Sequence, residues 1–227
     1  MSELAERLVQ TRESITRECL RLNRTEPTLI VVTKNHPVKL VNDLYALGER
    51  NYGENRVQEA YAKFHEFNAA SATPEANWHL IGQLQTNKVK QALEFAGTIH
   101  SVDRESLLDE LIKRTQELLS PLNVFIQVNL TEDEERGGVS PSALLSFADR
   151  VVKTSSLKLK GLMAVASLDK APEQDFETVA RLSAELRANH PSASDLSIGM
   201  SGDYLQALSF GATHLRIGTA ITGNRQI

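Results

Sequence analysis

One pattern recurs eight times between residues 29 and 218 and limits what this chain can fold into. A short apolar run closes on a small or polar residue, and a longer amphipathic stretch follows. The runs are 29–33, 50–53, 78–82, 98–102, 124–128, 159–163, 196–199 and 214–218. They are continuous rather than alternating, as strands are when a parallel sheet is covered on both faces. Helical spacing between them predicts helices at 38–48, 56–68, 86–96, 104–119, 141–154, 173–189 and 203–210. Ahead of the first run, Leu4, Leu8, Ile15, Cys19 and Leu22 fall near helical spacing over residues 3–22. Eight strands alternating with helices predict an α/β chain forming a single (β/α)8 TIM-type barrel with an extra N-terminal helix. The alternative is an open, doubly wound sheet of the same elements. The run 50–53 is the weakest of the strands.

The 227 residues suit one such barrel, which takes roughly 200–250. The longest expected loops, 67–77, 129–140 and 164–172, are too short and unbiased to be linkers, so 1–227 reads as one domain. The formal charge of −4 is made of interspersed signs, which argues against nucleic acid or an anionic membrane as partner. No apolar run approaches the ~18 residues of a membrane span, and residues 1–6 do not begin a leader. A cytoplasmic protein is expected. Cys19 is the only cysteine, which excludes an intrachain disulfide and predicts an inert buried thiol.

In a barrel of this kind, chemistry sits where strands end and βα loops begin. Lys34 closes the first run, so its amine is expected at an apolar mouth, partly desolvated and in the neutral form that attacks an aldehyde. The plainer reading is a lysine that snorkels out at a strand end. The last two runs end in glycine-containing turns, the usual phosphate position of this architecture. Met200, Ser201, Gly202 and Asp203 lead into a helix start, where a hydroxyl and backbone N–H groups can meet an anion. Gly218 and Thr219 offer the second half. Each turn alone is explained by N-capping and tight turning; the pair predicts a phosphorylated ligand. Arg216, on an otherwise apolar strand, needs either a distant carboxylate or a ligand ring nitrogen.

His79, His100 and His214 are isolated in sequence and lack zinc-type spacing, so no metal is expected. Glu132, Asp133, Glu134, Glu135 and Arg136, followed by Gly137 and Gly138, read as a mobile, solvated loop. No nucleophile-elbow, Walker or dinucleotide motif is present.

The segments around these residues resemble the pyridoxal 5′-phosphate (PLP) homeostasis protein family, small relatives of the alanine racemase N-terminal domain barrel. The resemblance is carried by Val31-Val32-Thr33-Lys34, Tyr52-Gly53-Glu54-Asn55, Trp78-His79-Leu80-Ile81-Gly82-Gln83, His100-Ser101-Val102-Asp103, Ser197-Ile198-Gly199-Met200-Ser201-Gly202-Asp203 and Arg216-Ile217-Gly218-Thr219-Ala220. It implies that PLP is the cofactor and that Lys34 forms its internal aldimine, a Schiff base. Ser201, Gly202, Gly218 and Thr219 would hold the phosphate, Arg216 would face the pyridine nitrogen, and Asn55, His79 and Met200 would line the ring pocket. The chain departs from the family pattern at Arg56, at Thr222 and over Asn35-His36-Pro37.

In the resembling racemases a tyrosine from a C-terminal β domain supplies the second acid/base. Only residues 220–227 follow the last run and its Thr219, and none of Tyr45, Tyr52, Tyr61 and Tyr204 is an obvious replacement, although Tyr52 is expected near the rim. The expectation is therefore a carrier or regulator in vitamin B6 homeostasis, not an enzyme. It would be monomeric and pass PLP to apo PLP-dependent enzymes. A PLP-dependent racemase or lyase is the rival, and a phosphosugar-binding barrel enzyme without PLP a third possibility.

Overall fold

The computed structural model describes residues 2–70, 75–131, 137–167 and 169–223. The acidic run at 132–136 lies outside them. Eight parallel strands close into a barrel in chain order: β1 (Thr28–Val32), β2 (Asn51–Glu54), β3 (Asn77–Leu80), β4 (Ala96–Val102), β5 (Leu122–Gln127), β6 (Leu157–Met163), β7 (Asp195–Ser197) and β8 (His214–Ile217). The open-sheet alternative is ruled out because β1 also pairs with β8, from Thr28↔His214 to Val31↔Ile217.

The helices are α1 (Glu3–Arg21), α2 (Val38–Ala46), α3 (Val57–Ala70), α4 (Val89–Ala92), α5 (Glu105–Thr115), α6 (Leu144–Val152), α7 (Pro172–Asn189), α8 (Tyr204–Ser209) and α9 (Thr219–Thr222). Ser2 caps α1 by accepting from the Ala5 amide, and Glu3 and Glu6 in the first turn oppose the helix dipole favourably. That helix packs on α8 and α9, and Arg7 Nε donates to the Ile221 carbonyl at 2.8 Å. Arg24 donates to the carbonyls of Leu208 and Ala212. Cys19, on the same helix, is a buried free thiol, as its spacing implied. The predicted helices 86–96 and 141–154 both begin as 3₁₀ turns, and α9 was not anticipated at all.

The apolar core lies between barrel and helices. Leu29, Val31, Tyr52, Trp78, Ile99, Val124, Leu215 and Ile217 belong to one continuous buried cluster. Tyr52 is fully buried in this layer, its hydroxyl donating to the Glu49 carbonyl at 2.8 Å, so it does not stand at the rim as expected. Burial pushes its phenol well above the usual range. Gly161 permits β6 and β7 to meet: at φ +151° a Cβ would lie 1.9 Å from the Asp195 carbonyl oxygen.

Candidate functional site

A cavity of about 500 Å³ opens at the C-terminal end of the barrel. Strand ends alone account for its walls. Val32 and Lys34 come from β1 and its turn, Asn55 follows β2, and Met200, Ser201 and Gly202 follow β7. Arg216 stands on β8, with Gly218 and Thr219 beyond it. Ile81 and Val165 close the sides. The structure thus brings together eight of the nine residues singled out in the sequence; the ninth, His79, is elsewhere.

Lys34 is exposed at the mouth, so the desolvation expected of it is not supplied by protein atoms. Facing it is a set of anion donors. Ser201 Oγ accepts from the amides of Gly218 and Ala220, each at 3.2 Å, which ties the two turns together and leaves its own O–H to donate. The amides of Gly202 and Thr219 have no acceptor among the described residues. A Cβ at Gly202 would meet nothing within 4 Å, so the space before that backbone is open. Asp203 does not enter this set: its Oδ1 accepts from the Met200 amide at 2.5 Å and holds the turn. Burial pushes the Asp203 carboxyl up, opposed by the Met200 amide and the Arg216 charge.

Arg216 is buried and pairs with no carboxylate among the described residues. Its Nη1 donates to the Ser197 carbonyl at 2.5 Å and to Ser197 Oγ at 2.7 Å, and Nη2 donates to the Ala164 carbonyl at 2.9 Å. Desolvation lowers its pKa to about 10, partly offset by Asp203, so the guanidinium is charged at neutral pH.

Behind Arg216 the lumen of the barrel is polar. Ser197 Oγ lies 2.9 Å from His100 Nδ1, His100 Nε2 lies 3.0 Å from His79 Nδ1, and His79 Nε2 lies 3.2 Å from Asn51 Oδ1. Asn51 Oδ1 also accepts from Asn77 Nδ2 at 3.2 Å. An amide oxygen only accepts, so His79 carries its proton on Nε2. His79 Nδ1 then accepts from His100 Nε2–H, and His100 Nδ1 accepts from the Ser197 hydroxyl. Every donor points away from Arg216, through Ser197, His100 and His79, to Asn51 at the opposite end of the barrel.

His79 is thereby corrected from a pocket-lining residue to an interior link, both ring nitrogens being taken. Nor are the three histidines isolated in space: the His100 ring lies 5.2 Å from that of His79 and 6.2 Å from that of His214. No metal-binding group of three ligands occurs among the described residues. Burial lowers the His79 pKa to about 3 and drives that of His100 far down, with neighbouring His and Arg216 charges adding to it.

The sequence reading missed Ser197, Ile81 and Val165. Ser197 carried a signal, since a serine ending a buried strand needs a polar partner. Of the departures from the family pattern, Asn35, His36 and Thr222 surround a smaller cavity of about 140 Å³ that shares Val32, Lys34, Gly218 and Thr219 with the first.

Residues 12–226 match the family described as "Alanine racemase, N-terminal domain". The chain is 34% identical over 230 residues to the pyridoxal phosphate homeostasis protein of Escherichia coli, covering 99% of this chain and 98% of that one. It is 35% identical over 216 residues to the protein so named in Vibrio cholerae, with 94% and 91% covered. Among solved structures, PipY of Synechococcus elongatus with PLP bound superposes with a TM-score of 0.86 at 34% identity, covering 97% of this chain and 100% of that one. Alanine racemase from Corynebacterium glutamicum shares the fold, with a TM-score of 0.73 at 11% identity and 62% of its length covered. The chain belongs to the pyridoxal phosphate homeostasis protein family, within the wider group of alanine racemase N-terminal domain barrels.

Proposed function

We propose that this barrel binds PLP in the 500 Å³ cavity as one unit, as a Schiff base on Lys34, and serves PLP homeostasis as a carrier or regulator rather than as an enzyme. One observation carries the reading: an exposed amine faces two open amides and a free hydroxyl across a cavity whose described lining carries two cationic side chains, Lys34 and Arg216. The relatives named PLP homeostasis proteins and the PLP-bound PipY structure support it.

The residues present fit such a ligand. Ser201, Gly202 and Thr219 would take the phosphate by charge-assisted hydrogen bonds, with Gly218, whose amide bonds Ser201 Oγ, holding that hydroxyl in the phosphate site. Val32, Ile81 and Val165 would flank the ring with Asn55 and Met200. Arg216, held charged, would face the ring nitrogen and keep a proton off it. PLP itself supplies an aldehyde for covalent capture and an electron-withdrawing ring. An incoming amine would take the aldehyde from Lys34 and leave it free, which suits release to apo PLP-dependent enzymes; we take the working form as a cytoplasmic monomer. Among the described residues, no helix is long and apolar enough to cross a membrane.

The test is a visible spectrum of the protein with PLP before and after borohydride, followed by peptide mapping. A yellow protein whose pyridoxyl group maps to Lys34 is expected, and pyridoxal should bind far more weakly than PLP. Label on Lys88 or Lys160, or equal affinity for the two vitamers, would overturn the assignment.

A further inference from the structure

Beneath the Lys34 turn lies an ion cluster that the binding site does not use. Lys63, on α3, is 5% exposed, and Glu54, the last residue of β2, is fully buried. Lys63 Nζ donates to Glu54 Oε1 at 2.6 Å and to Glu59 Oε1 at 3.0 Å. Its third bond goes to the carbonyl oxygen of Thr33 at 2.8 Å. Thr33 also donates from Oγ1 to Glu54 Oε1 at 2.6 Å, and Glu59 Oε1 accepts the Asn35 amide. Residues 33 to 36 form a turn closed by the His36 amide on the Thr33 carbonyl, 3.1 Å, with Asn35 at φ +63°. That left-handed conformation suits asparagine better than most residues.

Both peptide groups flanking Lys34 are therefore held by the cluster, one through Lys63 and the other through Glu59. A buried lysine between two carboxylates is a costly way to gain stability alone, since apolar residues of like volume serve as well or better. The Oε2 atom of Glu54 has no partner among the described residues, a further cost. What the cluster does provide is a fixed backbone under an otherwise exposed side chain.

We propose that Lys63, with Glu54 and Glu59, is the positioning element of Lys34: it clamps the Thr33 carbonyl and the Asn35 amide so that the Lys34 amine enters the cavity from one direction. This rests on the reading of Lys34 as the aldehyde-reactive lysine. None of Glu54, Glu59 and Lys63 lines the cavity. The cluster's effect is on how often the amine is aligned with a carbonyl carbon, so it acts on imine formation and leaves the anion donors of β7 and β8 alone.

The test uses the full chain as Lys63→Met, and as Glu54→Gln/Lys63→Met, which avoids stranding a buried charge. Glu59→Gln, at a partly exposed position, gives a milder loosening that does not threaten folding. Three readouts are taken: amide exchange over residues 33–36 without ligand, the rate of imine absorbance on mixing with PLP, and affinity for inorganic phosphate. Exchange should quicken and imine formation slow, each by about tenfold or more in the Lys63 variants and less in Glu59→Gln, with phosphate affinity changed by under about twofold. Unaltered exchange and imine rate, or a phosphate affinity that falls in step with them, would overturn the proposal and leave the cluster a purely structural one. If wild type forms no imine at Lys34, the functional reading fails instead, and the exchange measurement alone decides whether the cluster holds the turn.

Discussion

His100 Nε2 donates to His79 Nδ1 at 3.0 Å inside the barrel, in the sense that the Asn51 oxygen on His79 Nε2 sets for both rings. Each ring is neutral, buried and faced by positive or neutral groups: Arg216 and His214 from β8, and the other imidazole. Their folded-state pKa values lie below the unfolded value of about 6.5. Between those limits the unfolded chain binds more protons, so stability is full above about pH 6.5 and falls as pH drops toward 3. The slope should approach about 1.4 kcal/mol per pH unit for each ring. Denaturant midpoints measured from pH 7.5 to 4.5 should fall accordingly, and His100→Gln should flatten the dependence. Nitrogen-15 spectra should show two Nε2–H tautomers that do not titrate down to pH 5.

How far the sequence told this structure depends on which residues are asked. All eight strands were legible because runs such as 29–33 and 124–128 are apolar on both faces, as a barrel wall between lumen and helices requires. Lys34, Ser201, Arg216 and Gly218 were legible because strand ends are where such a barrel works. His79 was not. Alternation along β3 puts Trp78 in the layer under the helices and His79 in the lumen, but the depth of the ring, against His100 rather than in the cavity, shows only once β3 and β4 are side by side. Lys63 was illegible for another reason: Glu59 and Lys63 look like any i,i+4 surface pair until α3 is laid over the β1 turn.

Gly82 follows β3, and a Cβ there would lie 2.3 Å from the carbonyl oxygen of Asn55 and 2.7 Å from its Cα. Backbone cannot yield as a side-chain tip can, so Gly82→Ala must displace Asn55 from the cavity wall. The expected result is a folded protein whose PLP affinity falls by about 1–3 kcal/mol, as for a lost packing and hydrogen-bond contact. Titration calorimetry reads this; unchanged affinity would mean that Asn55 makes no contact with the ligand.

Arg216→Met removes the donor to the Ala164 carbonyl, which has no other among the described residues. Leaving that buried oxygen unsatisfied should cost about 1–3 kcal/mol of stability. The same change unloads Ser197 Oγ, which should shift the ring signals of His100, its neighbour at 2.9 Å, while Asn51 still sets the tautomer of His79. Thermal unfolding gives the first effect and nitrogen-15 spectra the second. A variant as stable as wild type, with unchanged ring signals, would show that the chain of donors does not begin at Arg216.

Turnover is where the carrier reading is most exposed. Racemisation needs a base on one face of the cofactor and an acid on the other, and such groups each contribute about 10²–10⁴-fold. Among the described residues lining the main cavity, Lys34 and Arg216 are the titratable ones, and Arg216 is fixed by Ser197 and Ala164 with its charge retained. His36 borders only the smaller cavity beside Lys34. One proton carrier is therefore available where two are needed. The protein with PLP should leave L-alanine and other small amino acids unracemised beyond the rate of free PLP, while an apo PLP-dependent enzyme added to it gains activity. Chirality and keto-acid assays across an amino-acid panel measure the first, and recovery of the acceptor's activity the second. Turnover of any amino acid at about 1 s⁻¹ or faster, abolished by Lys34→Ala, would reverse the reading in favour of a racemase or lyase.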